Sequence, residues 1–389
     1  MTPSASPDQV TKILATMIEA LHTSPADARL IPPLMIWGPP GIGKSAIVRD
    51  LAERRNMGLV DIRLAQREPV DMRGLPIPDG DSVRWLVASE WPRNPESKGI
   101  IFFDELTAAD STLQAAAYEL ILDRRLGDLY RVPDGWYIVA AGNRLEDQAV
   151  ATTMSSALSN RFCHLDMAPD TKSWLSWGRK AGLHPFVLGF LAWRPDLLFK
   201  MDRNSERGWA SPRSWERVSY VLKLFDKAGH GSSEDLLALQ ISGLIGEAAA
   251  TEFLAFRHIA YDGPSAEDIL LRGRAPVIPR QGDRRFALAS ALIHVALAHG
   301  RRQKSILLRL LTVSEAFGPD FAAMIVNAVT DVLSMPEIEA LMATPEMASW
   351  RKRHGAIIGG SSRPTEPASA VSTPLDDMFD LDNLMKDAQ

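Results

Sequence analysis

Apolar residues change their spacing along the first 170 residues, and each change marks a new element. Continuous apolar runs are typical of strands buried on both faces, whereas apolar positions three and four residues apart predict amphipathic helices. Five segments are predicted to be strands: 34–37, 100–103, 137–141 and 162–165 as buried strands, and 59–64 from alternating apolar and polar positions. Three segments are predicted to be helices: 8–21, 45–55 and 113–122.

The order of these segments predicts the fold class. Strands alternate with helices up to about residue 167, which indicates a parallel sheet flanked by helices. Two segments punctuated by Pro and Gly, 71–92 and 126–133, are expected to form hairpins inserted into this unit. The pattern after residue 170 is almost purely helical, with a soft break near 261–264.

Composition and charge indicate which binding partners and which cellular compartment to expect for the protein. The chain has 389 residues and a formal net charge of −5, so we expect two or three domains and no general attraction to nucleic acid. It contains one cysteine, and its polar N-terminus lacks the apolar core of a secretory signal, which favours a cytoplasmic location. The most apolar helical stretch, 286–298, is too short to span a membrane. The histidines and Cys163 show no spacing typical of zinc ligands.

A phosphate-binding motif lies between the first predicted strand and the next helix. It fits the pattern G-x-x-x-x-G-K-S, in which glycines let backbone N–H groups approach phosphates and the helix start adds partial positive charge. Lys44 is expected to reach the β- and γ-phosphates, and the hydroxyl of Ser45 to coordinate Mg²⁺. The alternative is an ordinary Gly/Pro turn. The predicted nucleotide-binding segment is Gly38, Pro39, Pro40, Gly41, Ile42, Gly43, Lys44, Ser45 and Ala46.

Two carboxylates follow the predicted strand at 100–103. Ligands of open α/β sheets bind beyond the carboxyl ends of the strands, so Asp104 and Glu105 are expected to face the phosphates. Asp104 would hold Mg²⁺ together with Ser45, and Glu105 would polarise a water that attacks the γ-phosphate. The alternative for Asp104 is an acidic residue that caps the next helix.

Three further motifs complete a resemblance to a known family. Ala141-Gly142-Asn143-Arg144, Ser159-Asn160-Arg161-Phe162 and Ser211-Pro212-Arg213 follow in order, and together with the phosphate loop they resemble AAA+ ATPases of the MoxR-type, dynein-related branch. The resemblance extends over about residues 30–220. It implies that Asn143 is a sensor that positions the water, that Arg161 is an arginine finger for the next subunit, and that Arg213 is a sensor on a helical lid. A turn residue, a surface arginine and a helix-start arginine are the respective alternatives.

The resemblance also implies an architecture and a function. The fold class is a P-loop NTPase with a five-stranded parallel sheet flanked by helices, followed by an all-α lid and a further helical C-terminal segment. The implied activity is MgATP hydrolysis in a hexameric ring that remodels a protein client with a von Willebrand factor A-type partner. The alternatives are a DNA-associated motor and a nucleotide-gated binding module with slow turnover. The expected domains are the ATPase core 1–170, the lid 171–260, the additional helical segment 261–358 and a disordered acidic tail 359–389.

Two apolar features are candidates for contacts with other molecules. If the hairpins face the ring's pore, as in related ATPases, Trp85, Leu86 and Trp91 would be exposed; the alternative is that they pack the hairpin onto the core. The acidic tail carries candidate anchors for docking into a groove, and the alternative is a tail that only increases solubility. These anchors are Leu375, Phe379, Leu381 and Leu384.

Overall fold

The computed structural model describes residues 4–147, 152–201, 208–228, 233–259, 265–300 and 303–358. The strands are β1 (Leu34–Trp37), β2 (Gly58–Arg63), β3 (Leu75–Asp79), β4 (Ser82–Leu86), β5 (Gly99–Asp104), β6 (Arg125–Leu126), β7 (Tyr130–Arg131), β8 (Trp136–Gly142) and β9 (Cys163–Asp166). The helices of the same region are α1 (Pro7–Thr23), α2 (Lys44–Arg54), α3 (Pro69–Arg73), α4 (Ser111–Asp123) and α5 (Ser156–Ser159).

Five of the strands form one parallel sheet in the order β2-β5-β8-β1-β9. The predicted fold class is therefore confirmed: a parallel sheet flanked by helices, followed by a helical region. Strand β1, which leads into the phosphate loop, lies between β8 and β9. The parallel arrangement brings the carboxyl ends of β1, β5 and β8 to the same edge of the sheet.

The side chains of the central strands explain why this sheet is buried on both faces. Successive residues of a strand point to opposite faces. In β5, Ile100 and Phe102 pack with helices α1 and α2, while Ile101 and Phe103 pack with α4 on the other side. All residues of β5 and β8 are buried. The continuous apolar runs in the sequence therefore correspond to strands with a core on each face.

Both predicted hairpins are present, as β3–β4 and β6–β7. In the first hairpin, Trp85 and Leu86 are exposed, with 42% and 47% of their surface accessible. Trp91 is only 2% exposed and belongs to the core that packs against α4. The expectation of an exposed Trp91 is therefore wrong, since this indole anchors the chain as it returns from the hairpin to β5.

The helical region is built around a third hydrophobic core. Its members come from residues 174–350, and α7 packs closely along α12. The predicted boundary at residue 260 stays a prediction: helices before and after it share this core, and both the soft break at 261–264 and the tail at 359–389 lie outside the described residues. The helices are α6 (Thr171–Lys180), α7 (Pro185–Trp193), α8 (Pro212–Ala228), α9 (Glu234–Ile245), α10 (Glu247–Ile259), α11 (Ala266–Leu270), α12 (Gly282–His299), α13 (Lys304–Glu315), α14 (Pro319–Thr330), α15 (Met335–Met342) and α16 (Pro345–Ile358).

Helix α12, with 18 residues, is the longest of the described helices. Within the described ranges, no helix is both long enough and apolar enough to cross a bilayer.

Candidate functional site

The loop between β1 and α2 has the backbone conformation of a phosphate cradle. Gly41 and Gly43 have φ values of 84° and 102°, a region that glycine enters without steric cost. A Cβ atom on Gly38 would lie 2.6 Å from the carbonyl oxygen of Met167, so this position has no room for a side chain. Helix α2 starts at Lys44 without a side-chain cap, which leaves its first N–H groups free for an anion.

Lys44 is buried within this loop and is held by oxygen atoms. Its Nζ donates to the carbonyls of Gly38 and Pro39, the latter at 3.0 Å, and to Oδ1 of Asn143 at 2.9 Å. Burial lowers the pKa of Lys44 to about 8, although the nearby carboxylates of Asp104 and Asp147 oppose that shift. The ammonium group therefore has three hydrogen-bond acceptors, one for each of its protons.

Ser45 and Asp104 are directly bonded at the edge of the sheet. The Ser45 hydroxyl donates to Oδ2 of Asp104 at 2.6 Å, and Oδ1 of the same carboxylate accepts from the backbone N–H of Glu105 at 3.1 Å. Glu105 has a φ of 56°, an uncommon value for a residue with a side chain, and its side chain is exposed at the end of β5. The structure thus brings together the predicted metal ligands and the predicted base.

Asn143 follows β8 and is fixed by Thr107, a residue that the sequence did not single out. The Thr107 hydroxyl lies 3.1 Å from both the backbone N–H and the carbonyl of Asn143, and Thr107 is 1% exposed. The side chain of Asn143 is consequently directed toward Lys44, in the position expected of a residue that contacts a phosphate or a water.

The start of α8 touches the phosphate loop. The backbone N–H of Arg213 donates to the carbonyl of Gly41 at 3.1 Å, and a Cβ on Gly41 would lie 3.0 Å from the hydroxyl of Ser211. Ser211 also caps the helix through the N–H of Ser214. The Ser-Pro-Arg motif therefore places Arg213 beside the loop. Its exposed guanidinium makes no hydrogen bond or ion pair within the described residues.

Arg161 lies apart from this cluster. It follows α5 and is exposed, and no hydrogen bond or ion pair of its guanidinium is found among the residues that the structure describes. Burying an arginine without a partner is costly, but an exposed one remains available to a second molecule. Cys163 pairs with Leu34, so Arg161 lies near the amino end of β1, whereas Lys44 lies beyond its carboxyl end. Within one chain, Arg161 and Lys44 are therefore not members of one site.

The donor set fits a nucleotide and a magnesium ion. The Lys44 ammonium is bonded to neutral oxygens that phosphate oxygens can replace, and the uncapped start of α2 adds backbone donors. A hydroxyl and a carboxylate, as supplied by Ser45 and Asp104, are the oxygen ligands that Mg²⁺ prefers.

Fold and loop together define a P-loop nucleotide-binding protein. The family model of the AAA domain (dynein-related subfamily) matches residues 33–162. The match extends from β1 to the turn after α5, so this segment is similar to AAA domains of the dynein-related subfamily. A search of curated proteins gives no match.

Solved structures with a similar fold are distant. A point mutant of RuvB from Thermotoga maritima is 14% identical, with 81% of this chain and 92% of that chain covered and a TM-score of 0.35. The RuvB Holliday junction branch migration motor of Thermotoga maritima is 15% identical, with 77% and 86% covered and a TM-score of 0.33. NtrX from Brucella abortus in complex with ADP is 16% identical, with 87% and 67% covered and a TM-score of 0.32. Similarities at this level carry no argument about activity.

Proposed function

We propose that this protein is a MgATP-hydrolysing AAA+ motor of the MoxR type. The observation that carries the proposal is the meeting of Lys44 with Asn143 and of Ser45 with Asp104 at one edge of the sheet. A phosphate loop alone binds nucleotide, whereas a polar residue and two carboxylates beyond it are what hydrolysis requires.

Each side chain is assigned a role by its position. Lys44 would bind the β- and γ-phosphates and Asn143 would orient a water, which Glu105 polarises for attack on the γ-phosphate. Mg²⁺, when bound by Ser45 and Asp104, would neutralise phosphate charge. Arg213 would contact the γ-phosphate from α8, so that the helical region responds to the nucleotide.

The position of Arg161 supports a ring. An arginine that completes a neighbour's site must be exposed and unpaired in its own chain, as Arg161 is within the described residues. Heterologous contacts that close give cyclic oligomers, and AAA+ proteins often form hexamers. We propose a hexameric ring with Arg161 as the arginine finger in trans.

The client is proposed to be a protein, engaged through the β3–β4 hairpin and with a von Willebrand factor A-type partner. The hairpin exposes four large apolar residues on a short ribbon, a surface that suits contact with a polypeptide. They are Leu75, Val83, Trp85 and Leu86.

Replacing the proposed base tests the hydrolytic function. Glu105→Gln keeps the shape of the side chain but cannot accept a proton, so we expect ATP turnover to fall about 100-fold or more while ATP binding is retained. Glu53→Gln, an exposed glutamate on α2, is the matched control and should hydrolyse ATP normally. Equal turnover in the two variants would refute the assignment. Turnover stimulated by DNA in a salt-dependent manner would instead favour the DNA-motor alternative.

A further inference from the structure

We propose that His164 is a positioning residue that connects the strand before the phosphate loop with the turn that carries Arg161. The phosphate loop of a subunit would thereby position the Arg161 of the same subunit, which acts in the site of the neighbouring subunit. The inference rests on the proposed function, because it takes Arg161 as the arginine finger.

His164 makes a hydrogen bond on each side of its ring. The indole Nε1–H of Trp37 donates to Nδ1 of His164 at 2.8 Å, and Nε2 of His164 lies 2.8 Å from the carbonyl oxygen of Ser159. The Trp37 and His164 rings are also stacked, with centroids 5.9 Å apart and planes 20° apart. The imidazole therefore bridges the last residue of β1 and the last residue of α5.

The two bonds require the same tautomer. An indole N–H can only donate, so Nδ1 of His164 must be unprotonated, and the proton of the neutral imidazole must lie on Nε2. A carbonyl oxygen can only accept, which is what Ser159 offers to that proton. The bridge is therefore complete with a neutral His164, and neither ring nitrogen is left without a partner.

On one side the bridge reaches the phosphate loop. Trp37 directly precedes Gly38, whose carbonyl accepts a hydrogen bond from Lys44 and whose N–H donates to the carbonyl of Gly142 at 3.3 Å. If Lys44 turns to a phosphate, Gly38 loses one of these bonds. A change at Gly38 acts on the backbone of Trp37, since the two residues share a peptide unit.

On the other side the bridge reaches Arg161. The Ser159 carbonyl also accepts from the N–H of Phe162 at 3.3 Å, and the N–H of Arg161 donates to the carbonyl of Leu158 at 3.2 Å. Leu158 and Phe162 are 1% and 7% exposed, so the backbone on both sides of Arg161 is anchored in the core. A shift of the Ser159 carbonyl would move this turn and the exposed guanidinium with it.

Packing alone does not account for His164. Its side chain is exposed on β9, an edge strand of the sheet, where a histidine buries little apolar surface. What distinguishes the position is the pair of directed bonds to two segments whose proposed roles belong to different active sites.

Mixing two inactive variants distinguishes an effect on the arginine finger from an effect on the subunit's own nucleotide site. Arg161→Ala subunits keep their own phosphate loop, and Glu105→Gln subunits keep both Lys44 and their finger, so a mixture should regain ATP turnover if the finger acts in trans. The test variant adds His164→Phe to the Glu105→Gln subunits, a change that keeps an aromatic ring but removes both hydrogen bonds. Rescue should then fall by about 10- to 100-fold, because a displacement near 1 Å of a catalytic group has an effect of that size.

The reverse placement is the internal control. His164→Phe in the Arg161→Ala subunits should leave rescue within about twofold, since those subunits supply no finger. His258→Phe, an exposed histidine on α10, should be neutral in either position. In otherwise unaltered subunits, Trp37→Phe should reproduce the loss of turnover seen with His164→Phe, and ADP affinity should be retained in both.

Two results would count against different claims. If the parental mixture shows no rescue, the trans role of Arg161 fails. If the parental mixture recovers turnover and His164→Phe lowers rescue equally from both positions, or from neither, then His164 does not position the finger. Oligomer size and thermal unfolding of each variant exclude loss of the ring or of the fold as the cause.

Discussion

Lys44 at the phosphate loop and His184 in the helical region are two of the buried basic side chains, and their surroundings differ. Burial lowers the pKa of both, to about 8 for Lys44 and about 4 for His184. Lys44 therefore remains largely charged at neutral pH and is surrounded by oxygens. His184 is neutral: Nδ1 accepts the backbone N–H of Phe186 at 3.2 Å and Nε2 donates to Asp226 at 2.9 Å.

The hydrogen-bond partners of the two side chains distinguish a ligand-binding site around Lys44 from a structural cluster around His184. The oxygens around Lys44 belong to a glycine loop and to Asn143, and phosphate oxygens can take their place. His184 caps α7 by accepting the N–H of Phe186, and its hydrogen bond to Asp226 connects α7 with α8. The ring of His294 on α12 stacks on that of His184, with centroids 4.9 Å apart. Ligand atoms of His184, Asp226 and His294 lie within 4.8 Å of one another, as in a metal site. However, Nδ1 of His184 accepts the N–H of Phe186, so the proton of the neutral ring lies on Nε2, and a nitrogen that carries a proton does not bind a metal.

The largest expected effect is the loss of nucleotide binding in Lys44→Met. Methionine keeps most of the volume but supplies no charge, so we expect ADP affinity to fall about 100-fold or more, a loss of about 2.7 kcal/mol. Thermal stability should be maintained, because a partly desolvated charge has been removed from the fold. Calorimetric titration with ADP and thermal unfolding measure both quantities. Unchanged affinity would mean that Lys44 is only a structural residue of the loop.

Most of the fold was predictable because its signals are local. Apolar runs of four to six residues mark strands buried on both faces, and the Gly-rich loop with Lys44 and Ser45 is one continuous motif. Asp104 was found because ligands of parallel sheets bind beyond the carboxyl ends of the strands, whereas Asn143 was predicted from the resemblance to AAA+ ATPases. Trp91 was harder, since a tryptophan in an inserted hairpin segment can face either the core or solvent.

Contacts between distant residues gave no signal in the sequence. Thr107 holds Asn143, 36 residues away, and Trp37 reaches His164, 127 residues away. His184 and Asp226 are 42 residues apart and meet only when α7 packs against α8. Such pairs depend on helix packing and strand order, which spacing along the chain does not specify. A single threonine or histidine in one sequence is therefore not distinguishable from any other.

The second prediction concerns acid and the helical region. The pKa of His184 is about 4 in the folded chain and 6.5 when unfolded, so the unfolded state takes up a proton first as the pH falls below 6.5. The stability that neutral His184 contributes is thus fully present above pH 6.5 and is lost as the pH falls toward 4. From pH 7 to pH 5 we expect the free energy of unfolding to fall by about 2 kcal/mol from this residue. Burial also lowers the pKa of His294, which adds a loss of the same sign.

His184→Asn is the matched variant for this prediction. Asparagine can still cap α7 but does not titrate, so the fall in stability between pH 7 and pH 5 should be smaller than in the unaltered protein. Urea unfolding followed by tryptophan fluorescence reports on this region, because Trp215 and Trp350 lie in its core. Identical losses in the two proteins would show that other groups control acid unfolding.

The smallest expected effect is a proton taken up with the nucleotide. Because the pKa of Lys44 is about 8, only about a quarter of these side chains are charged at pH 8.5 without ligand. Phosphate oxygens favour the charged form and raise the pKa, so ADP binding at pH 8.5 should take up about 0.7 of a proton and be about fourfold weaker than at pH 7. Binding heats measured in two buffers of different ionisation enthalpy give the proton count. Lys44→Arg, whose guanidinium does not titrate in this range, should take up none. Equal heats in both buffers at pH 8.5 would place the pKa of Lys44 well above 8. Burial would then lower the pKa of His184 without lowering that of Lys44 to a similar extent.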